Sequence, residues 1–212
     1  MDSLRRPIAD LSMIDIGSGN GAASAKAYTN LGMHGGLQGY DVLVHKSTPG
    51  AMMQHVKLFD GVHIPETNAS FDVISFTYVL HHTRENTLPL LREAARVTRE
   101  WAVIAEDHLN NQAGDPIAVA RHQSHDRTAV FRDEGEWRQL FDAAGFHVIA
   151  SGPMFDVRSL QNYYILRKKE LSRACGSVKG NPKPCARDVA LISANEQSIL
   201  LSRLAPSRNS SK

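Results

Sequence analysis

The sequence predicts an α/β fold, in which a doubly wound, mostly parallel sheet of seven strands carries helices on both faces. Two features of the chain predict it. Short apolar segments alternate with segments of helical periodicity, and a glycine-rich turn joins the first strand to the first helix. Sheets of this kind bind ligands at the carboxyl ends of their strands. Functional residues are therefore expected where the strands end.

Four strands and one helix are expected in the amino-terminal half. The first strand is short and apolar, and the segment after its glycines has the character of a helix. The fourth strand is rich in β-forming residues, which makes it the clearest of the four. In chain order these elements are the strand Leu11–Ile16, the helix Ala22–Leu31, and the strands Gly35–Asp41, His55–Phe59 and Phe71–Tyr78.

The carboxyl-terminal half continues the alternation. Apolar residues close to helical spacing predict a helix over Glu85–Arg99. The long polar stretch His108–Phe131 is expected to be a lid, a binding element or a disordered segment. The other predicted elements are the strand Trp101–Ala105, the helix Glu134–Ala144 ending at Gly145, and the strands Phe146–Ala150 and Leu160–Leu166.

Length and composition describe one domain followed by a basic tail. The chain has 212 residues, 42% of them hydrophobic, and no apolar run as long as a membrane span. Residues 1–168 are expected to form the domain and residues 169–212 a flexible tail, because Glu170–Lys212 contains three prolines and no aromatic residue. The two cysteines, Cys175 and Cys185, indicate a reducing, cytoplasmic location.

The net charge of +2 conceals an uneven distribution. From Arg167 onwards there are ten Lys/Arg and three Asp/Glu, so the rest of the chain is acidic. An acidic domain lacks the broad positive surface that nucleic acids bind, and the tail lacks aromatic side chains on which bases could stack. We therefore expect no nucleic-acid partner and no membrane span. The sequence leaves the oligomeric state open.

The segment Ser12–Gly21 carries the strongest indication of a ligand. Its apolar strand contains Asp15 and leads into glycines at positions 17, 19 and 21. Glycine lets the backbone bend sharply and approach a ligand, and the following helix offers unpaired N–H groups. The spacing from Gly17 to Ala22 also fits the dinucleotide fingerprint of NAD and FAD sites. Asp15 favours S-adenosylmethionine (SAM) instead, because a carboxylate repels a pyrophosphate but attracts an ammonium or sulfonium group. A glycine-rich turn without a ligand is the remaining alternative.

Two further acids end predicted strands. Asp41 ends the second strand, where a carboxylate can accept hydrogen bonds from both ribose hydroxyls, as it also does in NAD enzymes. Asp60 ends the third strand and precedes Gly61. Its carboxylate can accept from an adenine amino group, although Asp-Gly is also a common turn pair. Either acid alone is compatible with a structural role, and only their order along the chain indicates a nucleoside site.

The ordered motifs resemble those of class I SAM-dependent methyltransferases that act on small molecules, including the ubiquinone/menaquinone-type C-methyltransferases. The resemblance covers about residues 8–168. It implies a Rossmann-like sheet whose last strand is antiparallel, SAM as the cofactor and a small-molecule methyl acceptor. The motifs are Asp15 with the glycine loop, Asp41, Asp60, Ile64-Pro65, Ser70-Phe71-Asp72, Leu80-His81-His82 and the segment from Trp137 to Phe146.

Carried over by position, the resemblance implies a set of cofactor contacts. The glycine loop would surround the methionine part of SAM, with Asp15 beneath it and near the amino group. Asp41 would hold the ribose, Asp60 with Gly61 the adenine, and the end of the fourth strand would face the sulfonium. The implied cofactor-binding residues are Asp15, Gly17, Ser18, Gly19, Asn20, Gly21, Asp41, Asp60, Gly61, Thr77 and Tyr78.

A catalytic base is needed only if the acceptor must lose a proton. His82 is the candidate, because neutral imidazole titrates near working pH. Of two adjacent residues one should point away from the cleft, and we expect this to be His81. Histidines of the polar stretch, His122 and His125, are further acceptor contacts to consider.

Metal assistance is considered and not expected. Some O-methyltransferases bind a cation through acids at the ends of strands four and five, and Glu106, Asp107 and Asn110 could supply oxygens. The fourth strand, however, ends in Thr77 and Tyr78, without an acid.

The sequence departs from the family pattern in the turn before the fifth strand and in its tail, among other places. The usual Gly-Gly turn before the fifth strand is replaced by Thr98-Arg99-Glu100-Trp101, which we interpret as a substituted turn. The basic tail has no counterpart in the core family.

Two alternative functions stay open. An NAD-dependent oxidoreductase, supported by the glycine spacing and Asp41, lacks a recognisable Tyr-x-x-x-Lys pair. A non-catalytic SAM-fold protein that binds a partner through its tail or lid is the other alternative.

Overall fold

The computed structural model describes residues 6–43, 56–107, 128–154 and 160–170. In this part of the chain no helix is both long and apolar enough to cross a membrane. The strands are β1 (Met13–Ile16), β2 (Leu37–Asp41), β3 (Val56–Leu58), β4 (Phe71–Thr77), β5 (Thr98–Asp107), β6 (Phe146–Pro153) and β7 (Gln161–Lys168). The helices are α1 (Ala22–Asn30), α2 (Thr87–Val97) and α3 (Glu134–Ala144).

The seven strands form one sheet in the order β3-β2-β1-β4-β5-β7-β6. β1 pairs in parallel with β2 and β4, β2 with β3, and β4 with β5, whereas β7 is antiparallel to both β5 and β6. The chain thus winds outward in two directions from β1, and the strand order reverses between β1 and β4. Such a switch point is where sheets of this type bind ligands. The Rossmann-like fold with an antiparallel last strand is confirmed.

Alternate side chains of the central strands point to opposite faces of the sheet. One face carries the main core, in which Ile14 of β1 and Phe76 of β4 are fully buried against α2 and α3. The other face carries a smaller core, where Met13 of β1 and Val73 of β4 pack with Tyr28 of α1. Because helices cover both faces, β1 and β4 carry apolar residues on both faces.

The ends of the helices follow from local residues. The carboxylate of Asp133 accepts from the backbone N–H of Glu136 at 2.8 Å while the Glu136 carboxylate accepts from Asp133 N, which is a capping box for α3. Gly145, at φ +96°, ends the same helix as predicted. At the start of α1 the Asn20 Oδ1 accepts from Ala22 N at 3.0 Å.

Asp72 lies at the amino-terminal end of β4, at the opposite end of this strand from the predicted site. Its carboxylate accepts from Arg6 Nη1 at 2.9 Å, from Ser12 N and Oγ at 2.9 and 2.8 Å, and from Arg99 Nη1 at 3.1 Å. Burial by itself would raise the pKa of Asp72, but the hydrogen bonds from Ser12 and Arg99 hold it below its ordinary value. Asp72 therefore links the start of β4 to the segment before β1 and to β5.

The predicted turn Thr98–Trp101 is wrong, because these residues begin β5. Thr98 is fully buried, its hydroxyl donates to the carbonyl of Asp72, and Lys168 Nζ donates to the Thr98 carbonyl at 2.8 Å. A register shift against β4 accommodates the early start. These contacts come from distant parts of the chain, so the local sequence does not reveal them.

Smaller differences concern element ends. α2 begins at Thr87 rather than Glu85, after two short 3-10 turns at Leu80–His82 and Arg84–Asn86. Most of the polar stretch, residues 108–127 with His122 and His125, lies outside the described residues, as do Asn110 and tail residues 171–212 with both cysteines.

Candidate functional site

The glycine-rich loop between β1 and α1 is fixed to the end of β2. The backbone N–H groups of Gly17 and Ser18 donate to the Tyr40 carbonyl at 2.7 and 3.0 Å, and Gly19 N donates to Asp41 Oδ2 at 2.7 Å. The loop therefore lies over the switch point of the sheet, where the topology places a ligand site.

Two glycines of the loop are required for different reasons. Gly17 has φ +71°, and a Cβ built on it would lie 2.3 Å from Val79 Cγ2, so the side chain of Val79 packs on bare backbone. Gly19 has φ +57°, and a Cβ there would meet no atom within 4 Å. Beside it, the buried Ser18 hydroxyl has no hydrogen-bond partner among the described residues. An open space and an unsatisfied buried hydroxyl fit a polar ligand at this loop.

Asp15 is the buried carboxylate beneath the loop. It is 5% exposed, and its partners in the described part of the chain are two hydroxyls, Ser24 Oγ on α1 and Ser75 Oγ on β4. Burial raises the pKa of Asp15 to about 6, the hydrogen bonds from the two serines oppose this rise, and the nearby charge of Asp41 adds to it. The site thus contains a desolvated acid with no cation beside it among these residues.

Asp41 and Asp60 lie at adjacent strand ends, as the sequence predicts. Asp41 is 7% exposed and holds the glycine loop, while its backbone carbonyl accepts from Phe59 N at 3.1 Å. Asp60 is exposed, and its Oδ1 accepts from Val62 N and His63 N at 2.8 and 2.6 Å. A hydrogen bond from the His63 ring, with those two N–H groups, lowers the pKa of Asp60 to about 2. Asp60 therefore forms a turn, and its adenine contact stays a prediction.

The residues after β4 are held in an unusual conformation. Thr77 is exposed at the strand end, and Tyr78 follows with φ +56°. The Tyr78 hydroxyl donates to Met154 Sδ at 3.4 Å. Burial raises the pKa of Tyr78 to about 12, with a further contribution from the charges of Asp107 and Glu106. Tyr78 is therefore protonated at working pH and is not a base.

The two adjacent histidines have different surroundings. His81 is 4% exposed, and its Nδ1 lies 2.6 Å from Glu106 Oε2, whereas His82 is exposed. Their ring centroids are 4.1 Å apart. The structure thus separates an inner and an outer histidine, and the role of His82 as a base stays a prediction.

The Glu106 carboxylate makes hydrogen bonds within the protein. The described residues contain no group of three or more His, Cys, Asp or Glu that could hold a metal ion. Within them, the Glu106 carboxylate accepts from Val79 N, Leu80 N and His81. The expectation that the protein needs no metal stays a prediction.

Two residues of the site, Ser24 and Ser75, were not identified from the sequence. Glu106 was named there as a possible cation ligand, but its hydrogen bonds to the turn after β4 were not predicted. The sequence held one signal for Ser75, which is a polar residue between the apolar Ile74 and Phe76 of the predicted fourth strand. Its pairing in register with Asp15 is visible only in the structure. Glu106 likewise follows the apolar run of β5. Ser24 carries no such signal, because serine is common in first helical turns.

A family model described as a methyltransferase domain matches residues 3–151. No curated protein matches the sequence significantly. Many solved structures match this chain, and three of them serve as examples. A SAM-dependent methyltransferase from Mesorhizobium loti is 14% identical, with TM-score 0.57 over 77% of this chain and 94% of that one.

The second structure is human N-acetylserotonin methyltransferase in complex with SAM. It is 17% identical, with TM-score 0.58, and the match covers 74% of this chain and 47% of that one. The third is a chain of the Haloferax volcanii complex that contains the Trm112 methyltransferase activator, at 16% identity and TM-score 0.56 over 78% and 86% of the two chains.

At these identities the solved structures show the fold alone, whereas the family model matches most of the chain. The match supports the methyltransferase interpretation over the dinucleotide one, and SAM is the cofactor of this fold. The ubiquinone/menaquinone subclass is not distinguished and stays a prediction. The chain belongs to the methyltransferase domain family, with the fold of class I SAM-dependent methyltransferases.

Proposed function

We propose that this protein transfers the methyl group of SAM to a small-molecule acceptor. The observation that carries the proposal is Asp15, a carboxylate buried under the glycine loop with two hydroxyls as its partners in the described residues. A buried charge is stable only when it is compensated. The ammonium and sulfonium groups of SAM would supply the missing positive charge.

The proposed cofactor contacts follow the line of strand ends. The methionine part lies along the loop, where the Ser18 hydroxyl and the open side of Gly19 accept it, with Asn20 and Gly21 at the start of α1. The other proposed contacts are Asp15 near the amino group, Asp41 at the ribose, Asp60 and Gly61 at the adenine, and Thr77 and Tyr78 facing the sulfonium.

The chemistry is an in-line displacement. A lone pair of the acceptor attacks the methyl carbon, the carbon–sulfur bond breaks, and S-adenosylhomocysteine (SAH) leaves with the bonding electrons. Positioning supplies much of the acceleration, since the leaving group is already good. Where the acceptor carries a proton, the exposed imidazole of His82 takes it.

A small-molecule acceptor is supported by the acidic composition of the domain and by one structural neighbour, which is an N-acetylserotonin methyltransferase. The acidic surface disfavours nucleic-acid acceptors. A cytoplasmic location remains a proposal that rests on the low cysteine count.

Calorimetric titration of the wild-type chain with SAM and with NAD tests the cofactor, and SAM alone is expected to bind. The sharper test replaces Gly19 by alanine. Its added methyl group points into the open space that the ligand would fill, so we expect at least a tenfold loss of SAM affinity. The matched control is Gly32→Ala, because Gly32 has a similar φ of +66° and equally open surroundings at the end of α1.

Both variants should lose about 1 kcal/mol of stability, since alanine is mildly strained in the left-handed region. Only Gly19→Ala should lose SAM. Equal affinity of the two variants, or tight binding of NAD without a response to SAM, would contradict the proposed function.

A further inference from the structure

Glu106, near the end of β5, is completely buried and binds the turn that follows β4. Its Oε1 accepts from Val79 N at 2.8 Å and from Leu80 N at 2.5 Å, and its Oε2 lies 2.6 Å from His81 Nδ1. A carboxylate at 0% exposure requires such compensation. One side chain thus holds three consecutive residues of a neighbouring strand exit.

The turn held by Glu106 is strained. Tyr78 has φ +56°, in the left-handed region, which costs a non-glycine residue about 1 kcal/mol. The next two N–H groups converge on the carboxylate, an arrangement of backbone donors that favours an anion. The buried charge of Glu106 therefore stabilises a conformation that the turn would not adopt by itself.

The same turn contacts the glycine loop. A Cβ on Gly17 would lie 2.3 Å from Cγ2 and 2.8 Å from Cγ1 of Val79, so the Val79 side chain closes directly over the Gly17 backbone. A shift of the turn would change the support of the loop at the residue where it leaves β1.

On its other side the turn meets the segment before α3. Val130 N donates to the His81 carbonyl at 2.7 Å, and the His81 ring stacks on Phe131 with centroids 5.6 Å apart. The turn therefore lies between the glycine loop and the last residues of the polar stretch.

We propose that Glu106 is a positioning residue for the cofactor site. Its carboxylate fixes the turn after β4 so that Val79 supports Gly17, and His81 orients the carboxylate through Nδ1–H. This inference rests on the proposed function, since it concerns affinity for SAM and SAH at that site. Because the His81 ring is buried, it acts through Glu106.

The test is Glu106→Gln, measured by calorimetric titration with SAH beside a thermal melt. Glutamine can still accept from Val79 N and Leu80 N, but its amide N–H₂ then faces the Nδ1–H of His81, so one anchor of the turn is lost or the imidazole changes tautomer. We expect at least a tenfold weaker affinity for SAH, together with a changed ¹⁵N chemical shift of the His81 ring.

The matched control is Asp72→Asn, the same carboxylate-to-amide change at the opposite edge of the sheet. It should lower the melting temperature while SAH affinity stays within twofold of wild type. If Glu106→Gln binds SAH within threefold of wild type, the positioning role is overturned, however much the variant is destabilised.

A second pair of variants applies if Glu106→Gln does not fold. Asparagine at position 81 keeps a donor close to the place of Nδ1–H, whereas leucine does not. His81→Asn should bind SAH within threefold of wild type and His81→Leu at least fivefold more weakly than His81→Asn. Equal affinities would overturn the inference. A wild-type chain that binds neither SAM nor SAH would instead overturn the proposed function, and this inference with it.

Discussion

Asp15 and Asp72 are both buried acids of the same sheet, but they differ in position and in electrostatic surroundings. Asp15 lies near the carboxyl end of β1, and Asp72 lies near the amino end of β4. At the amino edge, Asp72 accepts from Ser12 and from two arginines, and its pKa is lowered. At the carboxyl edge, Asp15 has two serine hydroxyls as its partners among the described residues, and its pKa is raised to about 6. One acid stabilises the fold, and the other destabilises it when ionised.

The difference shows which edge is built for a ligand. A protein that needed Asp15 only for packing would be more stable with a neutral side chain there, whereas an ionised acid without a cation is useful when the cation arrives with a ligand. Sites that bind or react are often less stable than the rest of a protein for this reason. Exchanging each acid for its amide tests whether the two carboxylates differ in this way.

The largest effect is expected for Asp15→Asn. The raised pKa of about 6 corresponds to about 3 kcal/mol of destabilisation of the ionised form relative to the unfolded chain. In the wild type, protonated Asp15 makes its full contribution to the free energy of unfolding below pH 4, and this contribution is lost as the pH rises through 6. Urea denaturation at pH 8 should therefore show the variant to be more stable by up to about 3 kcal/mol, and at pH 4 nearly equal to wild type.

The same variant should bind SAM at least tenfold more weakly, because the amide carries no charge for the ammonium group. A variant of lower stability that keeps wild-type affinity at pH 8 would contradict both halves of the comparison.

Asp72→Asn should give the opposite result. Loss of the charge weakens the hydrogen bonds from Arg6 and Arg99, which are themselves about half exposed, so we expect a loss of about 1–2 kcal/mol at pH 7. A lowered pKa means that the wild-type contribution is present above the ordinary value and is lost as the pH falls. The stability deficit of Asp72→Asn should thus shrink in acid, whereas the stability gain of Asp15→Asn is largest above pH 6. SAM affinity should not change in Asp72→Asn.

Part of this contrast could be predicted from the sequence, because the positions of the acids depend on where strands begin and end. The positions of Asp15, Asp41 and Asp60 at strand exits follow from local apolar patterns, and the helix α3 was predicted with both ends because Gly145 stops it locally. The partners of these residues were not legible. Ser75 meets Asp15 across a parallel pairing of residues 60 positions apart, which only the assembled sheet defines.

The prediction of a turn at the start of β5 was wrong for the same physical reason. The Thr98 hydroxyl donates to the Asp72 carbonyl, and Lys168 Nζ donates to the Thr98 carbonyl. Neither partner is near Thr98 in the sequence, so its neighbours along the chain do not reveal these contacts. Glu106 was considered as a cation ligand because an acid after a strand can play that role. Its use on the turn after β4 depends on the packing of two neighbouring strands.

A smaller effect is expected in the pH dependence of cofactor binding. SAM should favour the ionised form of Asp15, so wild-type affinity should rise about fivefold to tenfold between pH 5 and pH 7, as the fraction of ionised carboxylate rises around a pKa of about 6. Calorimetric titration at several pH values measures it. Asp15→Asn should show a flat profile over this range, and a flat wild-type profile would assign the raised pKa to burial without a part in binding.

The smallest effect is expected at Asp60, where a turn and a ligand contact compete for the same carboxylate. Asp60→Asn keeps one oxygen for the N–H groups of Val62 and His63 but loses the charge, so we expect about threefold weaker SAM affinity and almost no change in stability at this exposed site. His63→Ala is the matched control. It removes the imidazole ring that contacts the Asp60 carboxylate but leaves the carboxylate itself unchanged. Its affinity should stay at the wild-type value. If both variants bind SAM as wild type does, Asp60 only forms the turn, and the adenine end of the cofactor is held by other groups.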